Sequence, residues 1–64
     1  MDTATHRIIL RWLTALPGDI RIPTACWLFS DLMNILDSTV RFALTDLETA
    51  GKISIDNGGW IHVR

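Results

Sequence analysis

Apolar residues recur along this chain at two different periods, and the switches between them mark its elements. Ile9, Trp12, Leu13 and Leu16 are spaced by three and four, which predicts a first helix capped by Asp2 or Thr3 and ending near Leu16. Arg7 and Arg11 fall off that stripe, and Pro17 and Gly18 stop the helix. After the turn residue Asp19, Ile20-Arg21-Ile22 alternates apolar with charged, the period of a short strand with its isoleucines inward. Pro23 suits the first turn of a helix, so a second helix is expected over residues 24–33. Its core side draws on Cys26, Leu28, Phe29, Leu32 and Met33, which leaves Trp27 over as spare apolar surface.

Asn34 is expected to end that helix in the left-handed conformation, with Ile35 and Leu36 anchoring the connection. Asp37 or Ser38 then caps a third helix to about Ala50, whose inward stripe is Val40, Ala43, Leu44, Leu47 and Ala50, with Gly51 as its left-handed exit. The remainder reads as a hairpin around Asp56-Asn57-Gly58-Gly59. A three-residue loop over 57–59 pairs Asp56 with Trp60, Ile55 with Ile61, Ser54 with His62 and Ile53 with Val63, so all four branched aliphatics share one face. A two-residue Asn-Gly loop would split them across both faces, and burying one face selects the first register.

The chain has 64 residues, and a domain of that size buries only about 60% of the surface its unfolded form exposes. Its single cysteine, Cys26, cannot form an internal disulfide and reads as a small buried hydrophobe. With 48% hydrophobic residues and a formal net charge of −1, the chain is expected to fold as one domain over 1–64. Met1 to Arg7 lacks the basic-then-apolar order of a secretory signal and no apolar run approaches a membrane span, so the expected setting is cytoplasmic. The small net charge exerts no global pull toward nucleic acid, and any electrostatic case rests on how charges are distributed.

Helix, short strand, helix, tight turn, helix and terminal hairpin is an α+β order shared by several folds. Residues 29–53 narrow it: Ser38-Thr39-Val40, Ala43-Leu44, Leu47-Glu48 and Ala50-Gly51-Lys52-Ile53 follow one another through the third helix. This stretch resembles the helix-turn-helix of small winged-helix regulators of bacterial, phage or plasmid type, with a small polar start, a core valine, paired core leucines and a glycine exit into the wing. Together with the first helix, the short strand and the final strand, the resemblance extends over nearly the whole chain. It implies a winged helix of three helices, a short strand and a C-terminal β-hairpin wing. It further implies a sequence-specific double-stranded DNA-binding protein that regulates transcription, with the third helix in the major groove and the wing on the backbone or minor groove.

Turning 100° per residue from Val40, the outward face of the third helix holds Ser38, Phe42, Thr45 and Thr49, flanked by Thr39, Arg41 and Asp46. Arg41 offers a bidentate partner for a guanine edge, and the hydroxyls suit phosphates or bases, although Ser38 and Thr39 also suit plain capping. Phe42 departs from the family pattern, which is polar or basic there; a thymine methyl, the Trp60 ring and a protein interface are its three alternatives. Residues 37–51 hold Arg41 against Asp37, Asp46 and Glu48, a local charge of −2. Phosphate-neutralising charge must therefore come from Arg7, Arg11, Arg21, Lys52, His62 and Arg64. On the wing, Trp60, His62 and Arg64 share the outer face, and Asn57 sits at the tip with Gly58 and Gly59.

Trp27, Phe42 and Trp60 are the candidate protein-contact residues, and a homodimer would double the few basic contacts across half-sites. The alternative is a winged helix that binds another protein through these aromatics and not DNA. His6, His62 and Cys26 lack metal-ligand spacing, no phosphate loop follows a strand, and no nucleophile and base are set together. No metal, cofactor, membrane or enzymatic role is therefore expected.

Overall fold

The computed structural model describes residues 3–64 and places α1 at Thr3–Ala15, β1 at Ile20–Arg21, α2 at Ile22–Met33, α3 at Asp37–Thr49, β2 at Ile53–Ile55 and β3 at Trp60–Val63. The architecture is α+β, three helices on one face of an antiparallel sheet of order β1-β3-β2.

Asp2, one of the two expected caps of α1, lies outside the described residues. The buried line of α1 is Thr5, Ile9 and Leu13, each four residues from the last. Trp12, expected inside, is 47% exposed, because three residues of helix turn it about 60° away from Ile9. It shares that flank with Ile8, while His6 and Leu10 occupy the flank beside α3.

β1 is one residue shorter than its alternation suggests. Ile22 still donates its N–H to Gly59 O at 2.9 Å, as a strand residue would, yet it already opens α2. Pro23 explains the early turn, since the first turn of a helix has no use for the N–H that proline lacks. Ala25, Cys26 and Phe29 fill the core side of α2, whereas Leu32 falls on its flank and stays exposed, against expectation. Asn34 ends α2 as anticipated, at φ 52°, with its N–H on Ser30 O.

Ile35 packs on the core, but Leu36 does not anchor the connection: it is 73% exposed and serves as the extended N-cap of α3. Neither Asp37 nor Ser38 caps α3 through its side chain. The amides of Thr39 and Val40 instead bond Leu36 O at 3.0 and 3.2 Å, and Asp37 sits in the first turn, where its carboxylate meets the positive end of the helix. Val40, Ala43, Leu44 and Leu47 are buried as expected; Ala50 is exposed, because the helix ends there.

The exit is a Schellman turn, in which Lys52 N–H bonds Leu47 O at 2.9 Å and Gly51 N–H bonds Glu48 O at 3.0 Å with Gly51 at φ +76°. Open space surrounds the position a Gly51 side chain would take, so only backbone conformation resists substitution. Gly51→Ala is expected to cost about 1 kcal/mol and to lower Tm by roughly 4–8 °C in a thermal melt followed by circular dichroism.

β2 and β3 pair in the anticipated register, Ile53 with Val63, Ser54 with His62 and Ile55 with Ile61. Asp56 N–H bonds Trp60 O at 3.1 Å and closes the loop, whose Gly59 lies at φ +81°. Ile53 and Ile61 are buried and Ile55 is half-buried, but Val63 at the open end of the sheet is exposed. Strand β3 lies in the middle because β1 pairs Ile20 with Ile61 and Arg21 with Trp60. The core, centred on Ile9, Phe29, Val40, Leu44, Ile53 and Ile61, therefore lies between the three helices and the isoleucine face of the sheet.

Candidate nucleic-acid interface

Burial of Val40, Ala43, Leu44 and Leu47 orients α3, so Ser38, Phe42, Thr45 and Thr49 all face solvent, with Thr39 and Arg41 exposed on either side. The centre of this face carries hydroxyls and one aromatic ring and no charge. Thr45 Oγ1 donates to Arg41 O at 3.0 Å, a back-bond that leaves the oxygen's lone pairs available. Phe42 is 73% exposed and lines a hollow of about 390 Å³ on the α1 side of the helix, with Ile35 and Thr39 among its neighbours.

Each acidic residue of α3 has an internal partner. Asp37 Oδ2 lies 3.7 Å from Arg41 Nε, Asp46 Oδ2 lies 2.9 Å from His6 Nε2 on α1, and Glu48 Oε2 accepts the Ile55 amide of β2 at 3.2 Å. The Asp37–Arg41 pair is solvent-exposed at both ends, so its strength is small and Arg41 is free to exchange partners. All six lysine and arginine side chains, Arg7, Arg11, Arg21, Arg41, Lys52 and Arg64, are exposed.

Alternation along β3 puts Ile61 into the core and Trp60 and His62 on the outer face of the sheet. Arg21, opposite Trp60 in the register, sets its guanidinium 5.8 Å from the indole centroid, a cation–π distance. Gly58 passes under the same ring, where an added Cβ would come within 3.1 Å of it. Asn57 is exposed at the loop, and Lys52 and Arg64 meet at the other end of the hairpin, where Arg64 N–H bonds Lys52 O at 3.1 Å.

His62 is not the open cation that its position beside Arg64 suggests. Its Nδ1 lies 3.3 Å from Asp19 Oδ2 and its Nε2 lies 3.1 Å from Asp56 Oδ2. Asp56 is shared further, since its Oδ1 accepts the amides of Gly58 at 2.9 Å and Trp60 at 3.0 Å. The hydrogen bond to Asp56, with the nearby Asp19 charge, raises the His62 pKa; the His62 bond and the Trp60 amide lower that of Asp56. The ring thus clasps the hairpin tip to the segment before β1, and Asp19 and Asp56 are site residues that the sequence reading did not pick out. Asp56 was within reach of the hairpin register, which sets it diagonally across from His62. Asp19 was not, because its place depends on β1 pairing with β3.

A raised histidine pKa stabilises the fold below its ordinary 6.5 and loses that contribution as pH rises through the shifted value. A lowered aspartate pKa contributes above its ordinary 3.8 and is lost as pH falls through the depressed value. The clasp therefore holds best between those two limits. The His62 ring is expected to titrate above 6.5 by proton NMR. His62→Gln should remove the share of the high-pH fall in Tm that His62 causes, and an unchanged profile would show that the clasp contributes nothing.

Trp27 is 67% exposed on the outer face of α2, with Asp31 one turn further on. Cys26 is buried, and that burial pushes its thiol pKa up, the opposite of a reactive cysteine. Among the described residues no group of three or more histidine, cysteine or carboxylate side chains converges on a metal-sized point, and no helix is long and apolar enough to cross a membrane. Asp19 and Asp56 approach His62 from opposite ring nitrogens, which is why that trio does not converge either. In comparisons with known proteins, no family model, no curated protein and no solved structure matches the chain.

Proposed function

We propose that the chain is a winged-helix protein of the cytoplasm that binds a specific double-stranded DNA site as a homodimer and regulates transcription. Helix α3 enters the major groove, and the β2–β3 hairpin lies on the backbone or in the adjacent minor groove. The observation that carries this reading is the tight turn at Asn34 between α2 and α3, together with an α3 face that no other described element covers from Ser38 to Thr49. Thirteen residues make α3 about 20 Å long, and a helix about 10–12 Å across with its side chains fits a groove about 12 Å wide.

Ser38, Thr39, Thr45 and Thr49 supply hydrogen bonds, Arg41 a bidentate guanine contact, and Phe42 an apolar surface for a thymine methyl. Lys52, Arg64 and the Asn57 tip meet phosphates from the wing. Trp27, exposed on α2, is the contact through which two copies would pair. Titration with random-sequence duplex at low salt should shift the amides of Ser38 to Thr49, Lys52 and the hairpin. Arg41→Ala should weaken a specific site by about 1–3 kcal/mol. Amides unmoved by saturating duplex would defeat the proposal.

A second reading, a winged helix that binds protein, draws on the exposed aromatics: Phe42 on the same face is 73% exposed and Trp27 on α2 67%, unusual for large apolar side chains. On that reading Phe42→Ala abolishes partner or self-association, and Arg41→Ala changes nothing.

A further inference from the structure

The third helix meets the first over more than the core. Where the last turns of α3 pass α1, a hollow of about 430 Å³ opens to the surface, within the span of small-molecule sites. Leu10, Leu47 and Ala50 line it with hydrocarbon. Arg7 from α1 and Lys52 from the α3 exit stand at its edge, both exposed. Asp46 is the one acid lining it among the described residues, and that carboxylate is held by His6 at 2.9 Å. An apolar surface with two cations, whose single acid already has a partner, is complementary to a molecule with a hydrocarbon body and a negative head. The neighbouring hollow beyond the His6–Asp46 pair, which Phe42 and Thr39 line, has no lysine or arginine among its described residues and lacks that complementarity.

We infer that this hollow binds a small amphiphilic carboxylate, its chain against Leu10, Leu47 and Ala50 and its carboxylate between Arg7 and Lys52. The site sits at the end of α3 opposite Ser38, about 18 Å along the helix, so a ligand there leaves the outward face open. It shares only Lys52 with the phosphate contacts proposed above, so a carboxylate there would compete for that one cation and leave Ser38 to Thr45 untouched. Because the ligand would touch both α1 and α3, it would also bear on the His6–Asp46 pair that spans them, which offers a route by which a metabolite could shift the setting of α3.

Octanoate is the probe, followed by amide chemical shifts of the whole chain. Shifts are expected at Leu10, Leu47, Ala50 and Lys52. Each methylene fully covered adds at most roughly fourfold to affinity, so hexanoate should bind several-fold more weakly. Neutral 1-octanol should bind about tenfold more weakly, as should octanoate to the Arg7→Glu, Lys52→Glu double variant, since two exposed ion pairs are lost. Ala50→Trp, at an exposed helix end, should fill the hollow and abolish the shifts while the remaining amides keep their positions. Absence of shifts with millimolar octanoate overturns the site. Equal binding of octanol, or octanoate binding that survives Ala50→Trp, overturns the assignment of carboxylate or of place.

Discussion

Phe29→Ala is expected to remove most of the stability of this protein. The ring is fully buried and is the largest side chain in the core, on the side of α2 that packs against α3 and β1. Truncating such a phenylalanine typically costs about 3–5 kcal/mol, the lost burial plus the cavity that close-packed neighbours cannot collapse to fill. Domains hold about 0.05–0.15 kcal/mol per residue, which for this chain amounts to roughly 3–10 kcal/mol. Urea unfolding read by circular dichroism should therefore show the variant partly or wholly unfolded without denaturant. A loss under 1 kcal/mol, with the slope unchanged, would mean that the core is organised around other residues.

The second large effect concerns salt. If α3 and the hairpin grip duplex DNA, the grip comes from a few arginines and lysines, because the centre of the α3 face is uncharged and the net charge of the chain is −1. Each neutralised phosphate releases condensed counterions, and about four contacts per protomer give a slope near −3.6 in log K against log salt. Affinity for random duplex is then expected to fall about a hundredfold per protomer, and about ten-thousandfold for a homodimer with both halves bound, between 50 and 200 mM salt, measured by fluorescence anisotropy. Arg41→Ala should reduce the slope by about one if Arg41 meets a phosphate, and should relax base preference with the slope unchanged if it meets a guanine. Binding insensitive to salt would contradict the phosphate grip, and no binding at 50 mM salt would favour the protein-binding reading, for which Phe42 is the residue to replace.

Element order, the left-handed ends at Asn34 and Gly51, the buried stripe of α3 and the hairpin register were legible in advance. Each depends on local backbone preference or on a periodicity that one element carries within itself. The outward set Ser38, Phe42, Thr45 and Thr49 followed from the same periodicity, since the inner face of a helix determines its outer one. Trp12, Leu32, Ala50 and Val63 sit on or beside apolar stripes yet are exposed, and so is Leu36, expected to anchor the connection. How far round a helix its neighbours reach depends on the elements packed against it.

The amino-acid order alone was enough to set which segments are helix or strand, where they stop apart from the β1–α2 junction at Ile22, and which face of α3 and of the hairpin is apolar, because these follow from steric and hydrophobic patterns over a few residues. Packing in three dimensions decided everything that joins distant residues. It placed β3 between β1 and β2, brought Asp19 and Asp56 to the two nitrogens of His62, spanned α1 and α3 with His6 and Asp46, and opened the hollow between Arg7 and Lys52. No local pattern encodes those pairings, since each arises only when burial of a shared core sets elements dozens of residues apart side by side.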